Sequence, residues 1–546
     1  MPPCLEVVLA LAVSLLFSIY IWLLNQPAHI LQMGGDQHNI ASFAAAREHP
    51  ERYANDMILS DTINYKWYTP LYVGAIKHIT RFTGSYAVTF VALIIPTVTL
   101  FLSGTYLLLR YLTKHRLLSA GMAFIFTVIY IRIPQGDHWT IINAMHMRPN
   151  NQFIALLPWI LLLAIWSRSH IMFWPLVGAC SAFLLYVHPV SAPAWGFAIF
   201  GGLLWASKEY YDIKTRFIWL SLLIVAAVLI VIPYFVIFLG TYHGKQPPPD
   251  QFETIYNTAV ERFIPGTLDI GLSLKRSCIF ALLRNTRYFT LFMLIWAAVG
   301  QIFAWRGDQK TRTIARFLTL GLVFYMLITV GIPLIDQIIS ARLGRMPFQV
   351  DLVRGLKGWP WWLLMLGAPG FPVLLSTIST SKTWPKHSAG QLTILVVCIA
   401  FLVSYPLITA NKNDFLQRTR VNSEFVKETE ATDELVHFIE QNTPTNSTFF
   451  GKCWPIWLRH TPGRAVVWTP KDSGVLLCVN YNGMKKFIEQ WDQLKQANTI
   501  NQIDIFCKRW SVDYLLIQNP DDLNIDKERI LFSNSIWKIV QVDLSQ

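Results

Sequence analysis

Charged side chains are scarce in this sequence: Asp, Glu, Lys and Arg make up 14% of 546 residues, against about a quarter in an ordinary soluble domain. With 53% hydrophobic residues and a mean hydropathy of +0.38, the composition excludes a simple soluble protein. Cysteine is also thin. Seven are spread over positions 4, 180, 278, 398, 453, 478 and 507, too few and too scattered for a disulfide framework. No Cys/His group has zinc spacing, no GxxxxGK(S/T) loop occurs and no GxGxxG opens a helix. These absences argue against a zinc protein, a P-loop pump and a nicotinamide enzyme.

What charge there is divides the chain. Residues 421–546 hold 13 Lys and Arg against 16 Asp and Glu, whereas residues 1–420 hold 33 against 17. The basic excess therefore belongs to the apolar part, where it punctuates hydrophobic stretches instead of forming the polar basic face of a nucleic-acid binder. A membrane span takes about 20 apolar residues, and such stretches occur at 5–24, 86–109, 117–133, 152–166, 171–187, 190–205, 217–239, 288–305, 314–335, 359–379 and 390–410. The expected fold is a polytopic all-α membrane domain of about eleven helices over 1–420, followed by a soluble α/β domain over 421–546.

Orientation follows from the short loops, because Lys and Arg stay on the cytoplasmic side. Five short connections carry Arg110, Lys114 and Arg116; Arg168; Lys208, Lys214 and Arg216; Arg306, Lys310 and Arg312; and Lys382 and Lys386. Only Glu209, Asp212 and Asp308 oppose them. The longer connections 25–85, 134–151, 240–287 and 336–358, together with the C-terminal domain, then fall outside. The chemistry is expected there, in an integral, multi-pass protein.

The first outer loop contains Gly34-Gly35-Asp36-Gln37-His38-Asn39. Asp36 reads either as the cap of a short amphipathic surface helix bearing Ile40, Phe43, Ala44 and Arg47, or as a general base held just outside the first span. A second surface helix is expected between Lys66 and Phe82. Asp56 and Asp61 read as turn and cap residues, with a secondary acidic role as the alternative. Asp137 follows the third span, and Asp36, Asp56 and Asp137 together offer oxygen ligands to a divalent cation.

Two places suit a phosphate. Pro149 fits the first turn of a helix, which sets Arg148 at a mouth of backbone N–H groups; a snorkelling interfacial Arg is the other reading. Arg342, Arg345, Arg354 and Lys357 run into Trp359-Pro360-Trp361-Trp362, which fits either a lipid-phosphate site or interfacial anchoring. In the C-terminal part, a helix is expected over 433–441, strands over 447–450, 465–468, 513–518 and 536–542, and helices near 483–497 and 500–510. One N-glycosylation sequon is present at Asn446-Ser447-Thr448.

The layout resembles that of the GT-C glycosyltransferases: an Asp-bearing outer loop after the first span, short inner loops and an outer α/β domain. The passage Glu434-Leu435-Val436-His437-Phe438-Ile439-Glu440-Gln441-Asn442-Thr443-Pro444 resembles the helix and Thr-Pro opening of their outer domains. Val512-Asp513-Tyr514-Leu515-Leu516-Ile517 is similar to a late strand there. Ala54-Asn55-Asp56, Gln349-Val350-Asp351-Leu352-Val353-Arg354 and the stretch from Arg464 to Asp472 add to the likeness. The Trp-Trp-Asp-Tyr-Gly signature of oligosaccharyltransferases and the Asp-Glu pair of protein mannosyltransferases are absent.

The resemblance implies transfer of a sugar from a polyprenyl-phosphate donor to a glycan, lipid or protein acceptor on the outer face, in a bacterial inner membrane. Asp36 is then the catalytic position, with Arg148, Arg354 or Lys357 on the donor phosphate. Two other classes remain open: a transporter or flippase of a lipid-linked or polar substrate, and a noncatalytic assembly protein.

Overall fold

The computed structural model describes residues 3–131, 147–241, 247, 249–262, 287–346, 352–380, 390–402, 423–497, 499–518 and 527–543. The chain forms two compact units. One contains residues 1–24, 93–234 and 264–417; the other contains 25–92, 235–263 and 418–546.

The first unit is helical. With the residues that continue them, its helices include seven long and apolar enough to cross a bilayer: Cys4–Leu23, Tyr86–Thr113, Pro149–Ser167, Ile213–Thr241, Tyr288–Arg306, Gln309–Leu343 and Trp359–Ser379. Helices also occur at the four remaining expected spans, but shorter: Arg116–Val128, Ile171–Val187, Gly390–Leu402 and Ala192–Ala206. The chain is an integral membrane protein. Ile213–Thr241 leaves Leu222, Val225, Leu229, Ile232 and Val236 exposed, as a helix solvated by lipid does.

Helix Gln309–Leu343 runs eight residues beyond the expected end of its span and contains a π turn at Leu327–Gly331. Pro333 explains the turn, because it lacks an N–H and its ring crowds the carbonyl of Thr329, so the ladder widens ahead of it. Close helix approach relies on small residues. A side chain on Gly300 would run into the backbone of Gly367, and one on Gly370 into that of Gly300.

The short basic connections meet within this unit. Arg168, almost wholly buried, donates to the Tyr111 hydroxyl at 3.2 Å and to Thr313 Oγ1 at 3.4 Å. Arg316 pairs with Glu209 at 2.8 Å, and Lys310 lies over the Tyr111 ring. Glu6 pairs with Arg110 at 2.9 Å and Arg116 at 3.3 Å, so the start of the first helix belongs to the same end. Lys382 and Lys386 lie outside the described residues.

The second unit is built on a five-stranded sheet in the order β2-β1-β3-β5-β4, with β1 Thr448–Phe450, β2 Ala465–Val466, β3 Tyr514–Gln518, β4 Ile530–Ser533 and β5 Trp537–Gln541. β1 pairs in parallel with both β2 and β3, while β5 runs antiparallel to β3 and β4. The central β3, Tyr-Leu-Leu-Ile-Gln, is buried over its first four residues, the mark of a strand covered on both faces. Edge strand β4 was not expected from the sequence; its four residues are only partly covered, alternating between intermediate and exposed.

The helix expected over 433–441 spans Ser423–Asn442, and Asp472–Val479 adds one that was not foreseen. The core joins Leu435, Ile439, Phe449, Leu458, Val466, Leu516 and Ile539 to Ile30 of the 25–85 connection and to Ala87 just after it. Of the two expected surface helices, the first is corrected and the second has one covered and one exposed side. Gly35–Ala46 is buried from Gln37 to Ala46 except Asn39, polar His38 and Ser42 included, so it is an interior helix. In Pro70–Thr83, Tyr72, Val73 and Ile76 are buried while Phe82 is 91% exposed.

Candidate active site

Asp36 stands in the first turn of helix Gly35–Ala46 and is not its cap. Gly34 holds the cap position, and its N–H donates to Gln37 Oε1 at 2.8 Å. The Asp36 carboxylate instead accepts from Lys471 Nζ at 3.0 Å, with side-chain exposures of 32% and 51%. The Lys471 stem crosses Gly35 so closely that a Cβ there would stand 2.7 Å from Lys471 Cε. The bare Gly35 backbone leaves room for the ammonium over the helix mouth, where backbone N–H groups and the lysine both set positive charge beside the carboxylate.

Lys471 is itself placed by a buried ionic network. Arg459 donates to Asp472 through Nη1 at 2.7 Å and Nη2 at 3.0 Å, and to Asp56 through Nε at 2.7 Å. Asp472 also accepts from the Thr469 N–H at 2.8 Å and its hydroxyl at 2.8 Å. Burial pushes the Asp472 carboxyl up against the pull of Arg459, while the two carboxylates hold the guanidinium firmly protonated. The network fixes the turn Thr469-Pro470-Lys471-Asp472 and hence the root of the lysine.

Asp56 has no capacity left for a substrate or cation. Its oxygens accept from the N–H groups of Ile58 at 2.9 Å, Leu59 at 3.0 Å and Val466 at 3.0 Å, besides Arg459, which fills the roughly four acceptor sites of a carboxylate. The turn reading of this residue was right but incomplete. Asp61 caps the short turn Thr62–Asn64 through a 2.8 Å bond from the Ile63 N–H. Asp137 lies outside the described residues, and no group of three or more His, Cys, Asp or Glu with metal-site geometry occurs among the described ones.

The chain shows likeness over its whole length to solved structures. ArnT from Cupriavidus metallidurans bound to undecaprenyl phosphate matches at 13% identity, with 100% of this chain and 99% of that one covered and a TM-score of 0.49. Its apo form matches at 10% identity, with 98% of each chain covered and a TM-score of 0.49. No family model matches, and neither does any curated protein.

The three cations assigned to a donor phosphate belong to the membrane unit. Arg148 holds the N-cap of Pro149–Ser167 with Pro149 at the first helical position, as its sequence suggested. Arg354 and Lys357 lie one turn apart on the 3-10 segment Leu352–Gly358; their side chains lie outside the described set. That segment is pinned by the Tyr325 hydroxyl, which donates to the Gly355 carbonyl, and by Trp195, against which Gly358 packs. Trp195 in turn stacks on Trp362 with ring centroids 5.0 Å apart. Arg345 is tied to Asp336 at 2.7 Å, which separates it from the phosphate candidates.

Sequence reasoning missed Lys471, Arg459 and the pair His38–His460, whose ring nitrogens lie 2.9 Å apart. Their separations along the chain, more than 400 residues for Asp36–Lys471 and His38–His460, leave no local pattern. The one signal was the stretch from Arg464 to Asp472, singled out by resemblance.

Proposed function

We propose that this protein is a GT-C type glycosyltransferase that moves a sugar from a polyprenyl-phosphate donor to an acceptor on the outer face of a bacterial inner membrane, with its C-terminal part extracytoplasmic. One observation carries the reading. Of the three described acidic candidates, Asp56 is saturated and Asp61 caps an exposed turn, whereas Asp36 projects from an interior helix with the half-exposed Lys471 ammonium against it. Catalytic groups work best on elements locked by packing, and the Gly35–Ala46 helix is such an element.

In this mechanism Asp36 takes the proton of an acceptor hydroxyl as that oxygen attacks the sugar carbon. Lys471 positions the carboxylate until the acceptor displaces it. The departing phosphate gathers negative charge in a region of low dielectric, where Arg148, Arg354 and Lys357 stabilise it. Guanidinium groups suit that task because their planar fork matches phosphate oxygens.

The test is transfer of radiolabelled sugar from a polyprenyl-phosphate donor in a membrane extract by the purified chain. Asp36→Asn should lower turnover by about two to four orders of magnitude, the usual contribution of a general base, with an unchanged elution profile. Turnover equal to wild type in that variant removes Asp36 as the base. Donor-dependent passage of substrate across vesicles without sugar transfer would favour the transporter class.

A further inference from the structure

The second unit contains a cavity of about 220 Å³ lined by Ala45, Glu48, His49, Arg52, Tyr53, Thr80, Arg81, Tyr86, His460, Thr461 and Gly463. It lies at the C-terminal end of helix Gly35–Ala46, and Asp36 lies at the other end. At 1.5 Å per residue the two are about 14 Å apart, so the cavity is a second place and not part of the Asp36 site. At roughly 30 Å³ per water, it holds about seven waters, or one tetrahedral oxyanion with a short substituent.

Its charges do not balance internally. Arg81 is neutralised by Glu48 at 2.7 Å, and that contact, first among the causes, keeps the Glu48 carboxyl below its usual range. His49 pairs with Glu51 at 3.4 Å. The Arg52 guanidinium, however, has neither a hydrogen bond nor an ion pair with any described residue. Behind Gly463 lies a second guanidinium, Arg464, which donates only to neutral acceptors: Thr443, Ile439 and Pro462. Burial first, and the like charge of Arg52 second, push the Arg464 guanidinium down from its ordinary value. Among the described residues neither guanidinium is bonded to a carboxylate, and Glu440 offsets only part of the effect on Arg464.

The backbone is shaped for this. Gly463 has φ +66°, a conformation that disfavours any side chain, and a Cβ there would stand 3.0 Å from Arg52 Nη1. Glycine thus lets the guanidinium lie against the chain at the cavity wall. The Tyr86 ring meets His460 edge-on at 5.4 Å, and Tyr86 opens the candidate membrane span Tyr86–Thr113.

We infer that this cavity is an anion site for a phosphate group, gripped by Arg52 with the Tyr86 hydroxyl as a further donor, and separate from the donor phosphate of the proposed transfer. A bidentate guanidinium bond to phosphate would supply the partner that Arg52 lacks and offset its repulsion of Arg464. The inference stands whether or not Asp36 is a catalytic base. The phosphate belongs either to a lipid headgroup or to a free ion, and the two sources are separable.

Calorimetric titration of inorganic phosphate into the full chain in a neutral detergent should show saturable binding. Arg52→Gln should weaken it at least tenfold and Arg52→Lys less, with Arg509→Gln at an exposed site binding as wild type does. Nanodiscs of phosphatidylglycerol, compared with phosphatidylcholine, separate the sources: suppression of phosphate binding by the anionic lipid identifies a headgroup, and undiminished binding identifies the free ion. Absence of phosphate binding in detergent together with equal stability in both lipids would overturn the site. So would an Arg52→Gln chain, monodisperse on gel filtration, that binds phosphate as tightly as wild type.

Discussion

The membrane unit and the second unit treat ion pairs differently. Among the described residues of the membrane unit, Arg168 is buried almost completely and meets neutral oxygens, and the ion pairs of Glu6 and Glu209 gather at helix ends and stay partly exposed. In the second unit Arg464 is likewise buried among neutral acceptors, but Arg459 sits between two fully buried carboxylates. Apolar surface shows a further contrast. Helix Ile213–Thr241 leaves most of its side chains uncovered, as lipid solvation allows. Helix Gly35–Ala46 is wrapped by protein. Lipid-facing helices can approach closely through glycine contacts, while the second unit needs a specified interior.

The largest expected effect is in the second unit. Arg459→Met leaves Asp56 and Asp472 buried without a counter-charge and should cost about 3–5 kcal/mol, read as a lowered transition of that unit by calorimetry. The triple variant Asp56→Asn, Arg459→Met, Asp472→Asn should recover a large part of that loss, because it removes the buried charges together. A triple variant as unstable as the single one would mean that the network's hydrogen bonds outweigh its charges.

Next is the membrane unit, where Gly300→Leu forces apart the backbones near Gly367 and Gly370. Overpacking of this kind costs about 1–3 kcal/mol, measured as earlier loss of monodisperse protein on heating in detergent, with the transition of the second unit unmoved. A shift of both transitions by the same amount would show that the units unfold as one and would end the comparison.

The smallest effect is a pH slope. Burial, with His38 beside it, holds the His460 imidazole well below its ordinary value, so the unfolded chain binds the proton more readily than the folded one. Stability should then rise with pH, be fully present above about 6.5, the ordinary imidazole value, and fall as pH drops below it. His460→Gln should flatten the slope between pH 7 and 5. An unchanged slope would assign it to other histidines.

Much of the fold was legible because its signals are local. Pro149 at a helix start, the apolar run of β3 and the short basic loops each act through neighbouring residues or through bulk hydropathy. β4 escaped notice because an edge strand of four partly covered residues has too little pattern to stand out. Gly35–Ala46 was misread as a surface helix because Ala-rich turns with His38 and Ser42 look amphipathic until something packs over them.

The sequence by itself determined the membrane class, the positions of the long apolar helices and the α/β character of the C-terminal part, since these depend on hydropathy and on periods of two or 3.6 residues. Tertiary structure alone decided what each acid is bonded to. Asp56 was taken by Arg459 and by the Val466 N–H, 403 and 410 residues away, and Asp36 was given Lys471. Pairing over such distances is set by which segments share a core, and no spacing along the chain encodes it.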